Sequence, residues 1–133
     1  MALIACGGSR LPTQRIIIDG HSMSVEVANT QASQQEGLMN RDSLAAGKGM
    51  IFVYEDKEPR TFWMKDTRIP LAIAFIEDDG TILKIAHMRP QDTSRTKSLY
   101  PVSYALEVNE GWFADQGVEK GAKVEGLPDK PEK

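Results

Sequence analysis

The stretch "LAIAFIEDDGTILKIAHM", residues 71 to 88, decides the fold class of this sequence. Asp79-Gly80 is a favoured turn pair, and it separates an apolar arm from a second arm with strand character. The first arm, "LAIAFI", is apolar at every position, so both faces of that strand should be buried. A hairpin with one doubly buried strand predicts a closed or layered β structure.

Strand and turn signals continue on both sides of this hairpin. "RIIIDGHSMSVEVAN" predicts another hairpin that turns at Asp19-Gly20, and further strands are predicted in "GMIFVY", "TFWM", "SYALEVN" and "GAKVEGL". Thr30 can cap a short helix in "QASQQEGLMN", and Asn109 can cap a single helical turn in "EGWFADQ". Between the strands, "EDKEPR" is predicted to be a polar connection and residues 89 to 101 a long loop, since neither has apolar periodicity.

These elements predict a mainly β protein, a single-domain β-sandwich or barrel-like fold of seven to eight short strands with one or two short helices. A chain of 133 residues suits one domain. We expect residues 1 to 14 to be a flexible leader or the remnant of an export signal. Residues 15 to 127 should form the domain, and residues 128 to 133 a disordered tail.

The composition excludes some classes of protein. Apolar residues make up 41% of the chain and charged residues 26%, an ordinary globular mixture. A net charge of −3 argues against a nucleic-acid surface, which needs clustered Lys and Arg. The densest basic cluster, "SRTKS" at 94 to 98, is predicted to be a solvated loop. No run of eighteen apolar residues predicts a transmembrane segment.

Cys6 is the single cysteine, which excludes an intrachain disulfide and a multi-cysteine metal site. Together with the three residues before it, "LIAC" resembles the lipobox of a bacterial lipoprotein signal. Only Met1 and Ala2 precede the box, so a chance match stays open as the alternative. We therefore expect an exported protein, periplasmic or lipid-anchored in the cell envelope, with Cys6 as the candidate lipidation site.

Five ordered motifs carry a family resemblance: "TQASQQEGLMNR", "GMIFVY", "FWMKDTRIPLAIAFI", "YALEVNEGWF" and "GVEKGAKV". In order and spacing, over about residues 22 to 126, the sequence resembles the domain of unknown function 192 family of small prokaryotic proteins. The resemblance implies a compact β-rich single domain, often with an export signal, and no accepted activity. Asp66 stands where the family usually has Asn, and Ala122 stands where it usually has an acidic residue.

Common catalytic and metal-binding signatures are missing from the sequence. It has no metalloprotease helix, phosphate-binding loop or nucleophile elbow, and a Ser-His-Asp triad could use only His21 or His87. Methionine and histidine can together hold Cu(I), and His21 and Met23 share a strand face. His87 and the adjacent Met88 point to opposite faces, so no metal site is predicted.

The stretch "TFWMKDTRIPL", residues 61 to 71, raises the question of what covers Trp63. Strand alternation puts Phe62 and Met64 on one face and Trp63 on the other. Trp63 could form an aromatic binding platform with Trp112 and Phe113, but we favour packing under one of the short helices. The polar residues that follow the strand are better placed for function, because functional groups collect on loops held by rigid strands.

These considerations give a candidate ligand site and assign no catalytic residue and no cofactor. Its members are Arg41, Trp63, Lys65, Asp66, Thr67 and Glu107. The leading hypothesis is a small exported β domain that binds a small molecule or an envelope protein without catalysis. The alternative is a hydrolytic enzyme that uses Arg41, Asp66 and Glu107, and a second alternative is a Met/His copper-handling module.

Overall fold

Residues 11 to 132, the part of the chain that the computed structural model describes, form one seven-stranded sheet and two short helices. The strands are β1 (Thr13–Ile18), β2 (His21–Ala28), β3 (Lys48–Phe62), β4 (Leu71–Ile76), β5 (Ile82–Met88), β6 (Thr96–Asn109) and β7 (Val124–Glu125), and the helices are α1 (Gln31–Glu36) and α2 (Trp112–Gln116). The strand order is β5-β4-β6-β3-β2-β1-β7. β2 and β3 pair in parallel and all other neighbours are antiparallel. The predicted mainly β, barrel-like fold is confirmed.

Both predicted hairpins are present. β1 and β2 turn through Asp19 and Gly20, whose φ angles of 50° and 80° suit a two-residue hairpin loop. β4 and β5 are joined by a longer connection, in which the amide of Gly80 donates to the carbonyl of Glu77 at 2.8 Å. Every residue of β4 is buried, as its unbroken apolar sequence predicts.

The sheet curls into a half-barrel whose two edges meet at one corner. The β4–β5 connection forms a bridge between Thr81 and Lys123, just before β7. The amide of Ile82 donates to the carbonyl of Ala122 at 2.9 Å, and the amide of Val124 donates to the carbonyl of Gly80 at 2.8 Å. The first and last strands in the sheet order are therefore held near each other.

The sheet buries apolar residues on both of its faces. One cluster, the inner core, takes residues from all seven strands and from α2, so it fills the inside of the curl. The second cluster, the outer core, lies on the opposite face and includes Leu38, Met64 and Ile69 from the segments that cover it. β4 contributes alternate residues to the two clusters, which explains its burial on both sides.

β3 and β6 are much longer than predicted. "EDKEPR" is not a connection but part of β3, and residues 96 to 101 are not a loop but the first part of β6. The two strands pair beyond the rest of the sheet, with Pro59 opposite Pro101 and a register irregularity on each side of this region. Few residues of this extension reach either core, so its sequence lacks the alternation that marks a half-buried strand.

The helices lie where the sequence predicts them, although one cap differs. Thr30 caps α1 and forms a capping box with Ser33. α2 is capped by Gly111 rather than Asn109, whose side chain instead donates a hydrogen bond to the carbonyl of Leu44 at 2.7 Å. No helix within residues 11 to 132 is long and apolar enough to cross a membrane.

The ends of the described chain contact the domain. β1 begins at Thr13, two residues before the expected start of the domain. In the segment expected to be a disordered tail, Pro128 is buried and its carbonyl accepts a hydrogen bond from the Tyr104 hydroxyl at 2.8 Å. Lys130 forms an ion pair with Asp78 at 2.8 Å. Cys6 lies outside the described residues, so its expected lipidation stays a prediction.

Candidate functional site

A cavity of about 830 Å³ lies on the outer-core side of the sheet. One wall is α1, and the other is the end of β3 with the segment 63 to 67 that follows it. Its aromatic surface comes from Phe52, Tyr54, Phe62 and Trp63, and its charged lining residues are Glu36, Lys65, Asp66, Arg95 and Glu107. A cavity of this size that combines apolar and aromatic walls with convergent polar groups is typical of small-molecule sites.

Glu107 is a charged residue that the fold buries beside this cavity. It lies on the central strand β6, opposite Met50 of β3 and Ile73 of β4, and only 4% of its surface is exposed. Its carboxyl group forms no hydrogen bond or ion pair within the described part of the chain. Burial alone raises its pKa to about 8, so the group is mostly neutral at pH 7.

Trp63 and two cations form the rim of the cavity. The guanidinium carbon of Arg95 lies 4.0 Å from the centre of the indole ring, and the Lys65 ammonium lies 5.5 Å from it. Trp63 is half-buried and belongs to neither core, and it faces the same cavity as α1, so its packing under a helix stays a prediction. Trp112 and Phe113 pack on the inner core, and the three aromatic residues form no common platform.

Lys65, Asp66 and Thr67 form a tight turn beside the cavity. Asp66 has a φ of 55°, a left-handed conformation that Asn and Asp adopt more readily than most residues. Its carbonyl accepts a hydrogen bond from the amide of Asn40 at 2.8 Å. The Thr67 hydroxyl donates to the carbonyl of Lys65 at 3.0 Å and is buried. The Asp in place of the usual Asn therefore keeps the backbone conformation and adds an exposed charge.

The α1 wall is fixed in place by its cap and by contacts with β3. The side-chain amide of Gln34 donates to the carbonyl of Val53 at 2.8 Å, which ties the helix to the sheet. Gln31 and Gln35 also line the cavity from this helix. Behind them lies Tyr54, whose pKa burial raises to about 12, so its hydroxyl stays protonated across the physiological range.

Arg41 does not line the cavity and pairs with Glu26 instead. Its two terminal nitrogens donate to the two carboxylate oxygens of Glu26 at 2.6 and 2.8 Å. This bidentate pair ties the segment after α1 to β2, and both side chains are mostly buried. Arg41 therefore has a structural contact that accounts for its position.

Arg41→Lys should lower the free energy of unfolding by about 1 kcal/mol, because lysine cannot form the paired contact. Arg68→Lys is the comparison variant, since Arg68 pairs with Asp42 in an exposed position and donates to the Asn40 carbonyl, and its replacement should cost less than that of Arg41. Urea unfolding at low and high salt measures both changes. An unchanged midpoint in Arg41→Lys would show that the pair with Glu26 contributes nothing to stability.

The methionine and histidine motifs do not converge. Met23 is buried in the inner core and Met88 in the outer core, on opposite faces of the sheet. His21 packs edge-on against Trp112, and His87 is exposed. Within residues 11 to 132, no three His, Cys, Asp or Glu side chains come together in a way that could hold a metal ion.

The structure thus brings five of the six predicted residues to one cavity: Trp63, Lys65, Asp66, Thr67 and Glu107. Arg95 and Tyr54 also line the cavity but have no sequence signal for a site, because Arg95 lies in a predicted solvated loop and Tyr54 ends an apolar strand. The α1 glutamines have no such signal either. A short capped helix with three glutamines looks like an ordinary solvated helix, and only the tertiary structure shows what it faces.

The fold and the cavity define a small β-rich domain with a buried carboxyl group, that of Glu107, in a pocket that is partly lined by aromatic residues. Residues 14–126 match the family model of domain of unknown function 192, described as Uncharacterized ACR, and the chain belongs to this family. This confirms the resemblance carried by the five sequence motifs. No curated protein matches the sequence of this chain.

Two crystal structures have the same fold. One is described as a "putative transcription regulator" from Sinorhizobium meliloti 1021, with a TM-score of 0.85 and 34% identity over 90% of this chain and 98% of that chain. The other is a protein of unknown function from Novosphingobium aromaticivorans DSM 12444, with a TM-score of 0.85 and 35% identity over 92% of this chain and 91% of that chain. Neither description supplies an activity that explains the cavity.

Proposed function

We propose that the protein binds a small organic molecule in the cavity between α1 and the segment 63 to 67. The observation that carries this proposal is the Glu107 carboxyl group, which is buried at the cavity without a partner among residues 11 to 132. Burying such a group costs free energy unless something pairs with it. A protein that needed only a stable core would be better served by an apolar residue between Met50 and Ile73.

Envelope localisation belongs to the same proposal and has a separate basis. It rests on the likeness of "LIAC" to a lipobox, in a part of the chain that the structure does not describe. An exported binding domain, anchored at Cys6, would present the cavity to molecules outside the cytoplasm. A partner protein of the envelope is the other occupant that this localisation allows.

A catalytic role is the second candidate, and one observation favours it. A carboxyl group with a pKa of about 8 can act as a general acid or base near neutral pH. Asp66 lines the same cavity, so two of the three residues of the hydrolytic hypothesis lie at one site, whereas Arg41 does not. Turnover of a bound molecule that Glu107→Gln abolishes would favour catalysis over binding alone.

Transcription regulation, suggested by the name of the Sinorhizobium protein, is less well supported for this chain. Direct contact with DNA needs unpaired clustered cations. Here the net charge is −3, and Arg41, Arg68 and Lys130 form ion pairs with neighbouring carboxylates. A copper-handling role is also disfavoured, because its methionines lie in different cores.

A titration with a library of small organic molecules of positive, negative and zero charge tests the binding proposal. Amide chemical shifts of the 15N-labelled protein should change around α1, Thr61 and Trp63 for some members of the library. Ala32→Trp should abolish these changes, because Ala32 is an exposed α1 residue that lines the cavity and the indole ring would fill it. Ala114→Trp, at an exposed position of α2, is the matched control and should bind normally. Shift changes that persist in Ala32→Trp, or that map to another surface, would contradict the proposal.

A further inference from the structure

The ligand class follows from the charges around the cavity, and the inference rests on the function proposed above. We propose that the ligand is an organic amine whose ammonium group pairs with Glu107 and whose apolar body packs against Phe52, Phe62 and Trp63. What points to such a molecule is a buried carboxyl group beside aromatic walls, with no partner for that group in the described part of the chain. An ammonium group donates three hydrogen bonds, and a carboxylate accepts them.

The cations already present in the cavity leave Glu107 available. Neither Lys65 nor Arg95 forms an ion pair with it among the described residues, and both lie against the Trp63 ring at the rim. A buried carboxylate is stabilised chiefly by a cation brought close to it in a poorly solvated site. The described part of the chain supplies no such cation, and an amine ligand would.

The aromatic walls also favour a cation over an anion. The face of an indole or phenol ring is electron-rich and attracts ammonium and guanidinium groups. Lys65 and Arg95 already lie against the Trp63 ring, so the rings to which this argument applies are those of Phe52, Tyr54 and Phe62. An anionic ligand that reached the same depth would lie beside Glu107 and would keep that group protonated. Glu36 and Asp66, which also line the cavity, add further negative charge.

Proton release should accompany binding, because the ammonium group pairs best with the ionised form of Glu107. The free carboxyl group has a pKa of about 8, so below that pH one proton leaves Glu107 for the solvent as the amine binds. The apparent dissociation constant should then fall about 50-fold between pH 6 and pH 8, from the fraction of Glu107 that is ionised at each pH. The charged and titratable groups that line the cavity around Glu107 are Glu36 of α1, Tyr54 of β3, Lys65 and Asp66 of the turn, and Arg95.

Three probes that share a 2-phenylethyl group and end in a cationic, a neutral or an anionic group test the inference: 2-phenylethylamine, 2-phenylethanol and 3-phenylpropanoate. Each is titrated into the 15N-labelled protein at pH 6, 7 and 8. We expect the amine to bind most tightly at the cavity, with affinity rising with pH. Glu107→Gln should weaken binding of the amine by tenfold or more at pH 8 and should remove the pH dependence of its affinity. Glu110→Gln, the same change at an exposed position of the neighbouring segment, should leave both unchanged.

The outcomes separate this inference from the function on which it rests. Binding of the alcohol or the carboxylate at the cavity, as tight as the amine or tighter, would overturn the amine assignment and leave the cavity a binding site. Amine binding that Glu107→Gln does not weaken would also overturn it. If no probe binds at the cavity, and the wider library shows no binding there either, both proposals fail together.

Discussion

Glu107→Gln is expected to gain stability relative to the original protein as the pH rises from 4.5 to 8. In the folded protein the pKa of Glu107 is about 8, against an ordinary value of 4.5, because burial penalises the charged form. Between these two values the folded state binds one more proton than the unfolded state. The contribution of Glu107 to the free energy of unfolding is therefore fully present below pH 4.5 and is lost as the pH rises through 8.

The size of this effect follows from the two pKa values. Stability should fall by about 1.4 kcal/mol per pH unit across this window, or about 5 kcal/mol in all. Glutamine has nearly the same shape and does not titrate, so the variant should lose this dependence. The quantity to compare is the free energy of unfolding of Glu107→Gln minus that of the original protein. This difference should be about 3 kcal/mol larger at pH 7 than at pH 4.5.

Urea unfolding at pH 4.5, 6, 7 and 8 measures this difference directly. Glu110→Gln provides the control, since the same chemical change at an exposed residue should shift stability equally at every pH. If the difference between Glu107→Gln and the original protein does not change with pH, Glu107 titrates normally. The carboxyl group would then be better solvated than its burial indicates.

A residue that lowers stability at working pH is the expected signature of a functional site. Natural proteins keep such residues where binding or catalysis needs them and offset their cost elsewhere in the fold. The amine inference adds a specific consequence, because a bound cation should restore the lost stability. The pH profile of the unliganded protein and the pH dependence of amine affinity therefore depend on the same carboxyl group.

The sheet was predictable where local signals and burial agree. Asp19-Gly20 and Asp79-Gly80 mark hairpins because their residues tolerate positive φ angles, and both hairpins formed. β4 could be assigned to the centre of a layered structure, since only burial on two sides tolerates six consecutive apolar residues. Thr30 marked the start of α1 because a hydroxyl before a polar helix can satisfy its first amides.

The extension of β3 and β6 could not be predicted, because its stability comes from pairing between distant parts of the chain. Pro59 and Pro101 each argue against a strand when considered alone. In the structure they lie opposite each other at an irregular point in the ladder, where no amide is needed. Arg60 then stabilises the extension by donating to the Val102 carbonyl at 3.0 Å. None of these contacts has a local sequence signal.

The candidate site was predictable to the extent that strand alternation places side chains. Glu107 is the single charged residue in "SYALEVN", and its face of β6 proved to be the face under the cavity. Arg41 follows α1, which forms one wall of the cavity, but its side chain pairs with Glu26. A loop has no regular alternation of side chains, so the sequence does not fix the direction of a loop residue. Asp66 does line the cavity, but its left-handed backbone conformation accounts for an aspartate at this position as well as its charge does.

Gly80→Ala should cause the second large effect, by opening the corner where the edges of the sheet meet. Gly80 has a φ of 93°, and a Cβ atom there would lie 2.3 Å from the carbonyl oxygen of Val124. That oxygen belongs to backbone, so either β7 or the β4–β5 connection must move. We expect a loss of about 3 kcal/mol or more in the free energy of unfolding, from the left-handed conformation and the clash together.

Gly20→Ala is the matched control for the conformational part of this loss. Gly20 has a similar φ of 80°, but a Cβ atom there would meet nothing within 4 Å. Its replacement should cost about 1 kcal/mol, which is the penalty for an alanine in the left-handed region alone. Urea unfolding of the two variants separates the penalty for the backbone conformation from the penalty for the clash.

Amide hydrogen exchange shows whether the extra loss arises at the corner. In Gly80→Ala the amides of Ile82 and Val124, which bond across it to Ala122 and Gly80, should exchange much faster. The amides that pair β1 with β2 should change only by the global loss of stability. Suppose that both variants lose the same free energy of unfolding and that the Ile82 amide stays protected from exchange. The corner would then accommodate the added Cβ atom without a loss of stability, and its closure would not stabilise the curled sheet. A larger loss in Gly80→Ala would identify this corner as the contact that keeps the half-barrel closed around its inner core.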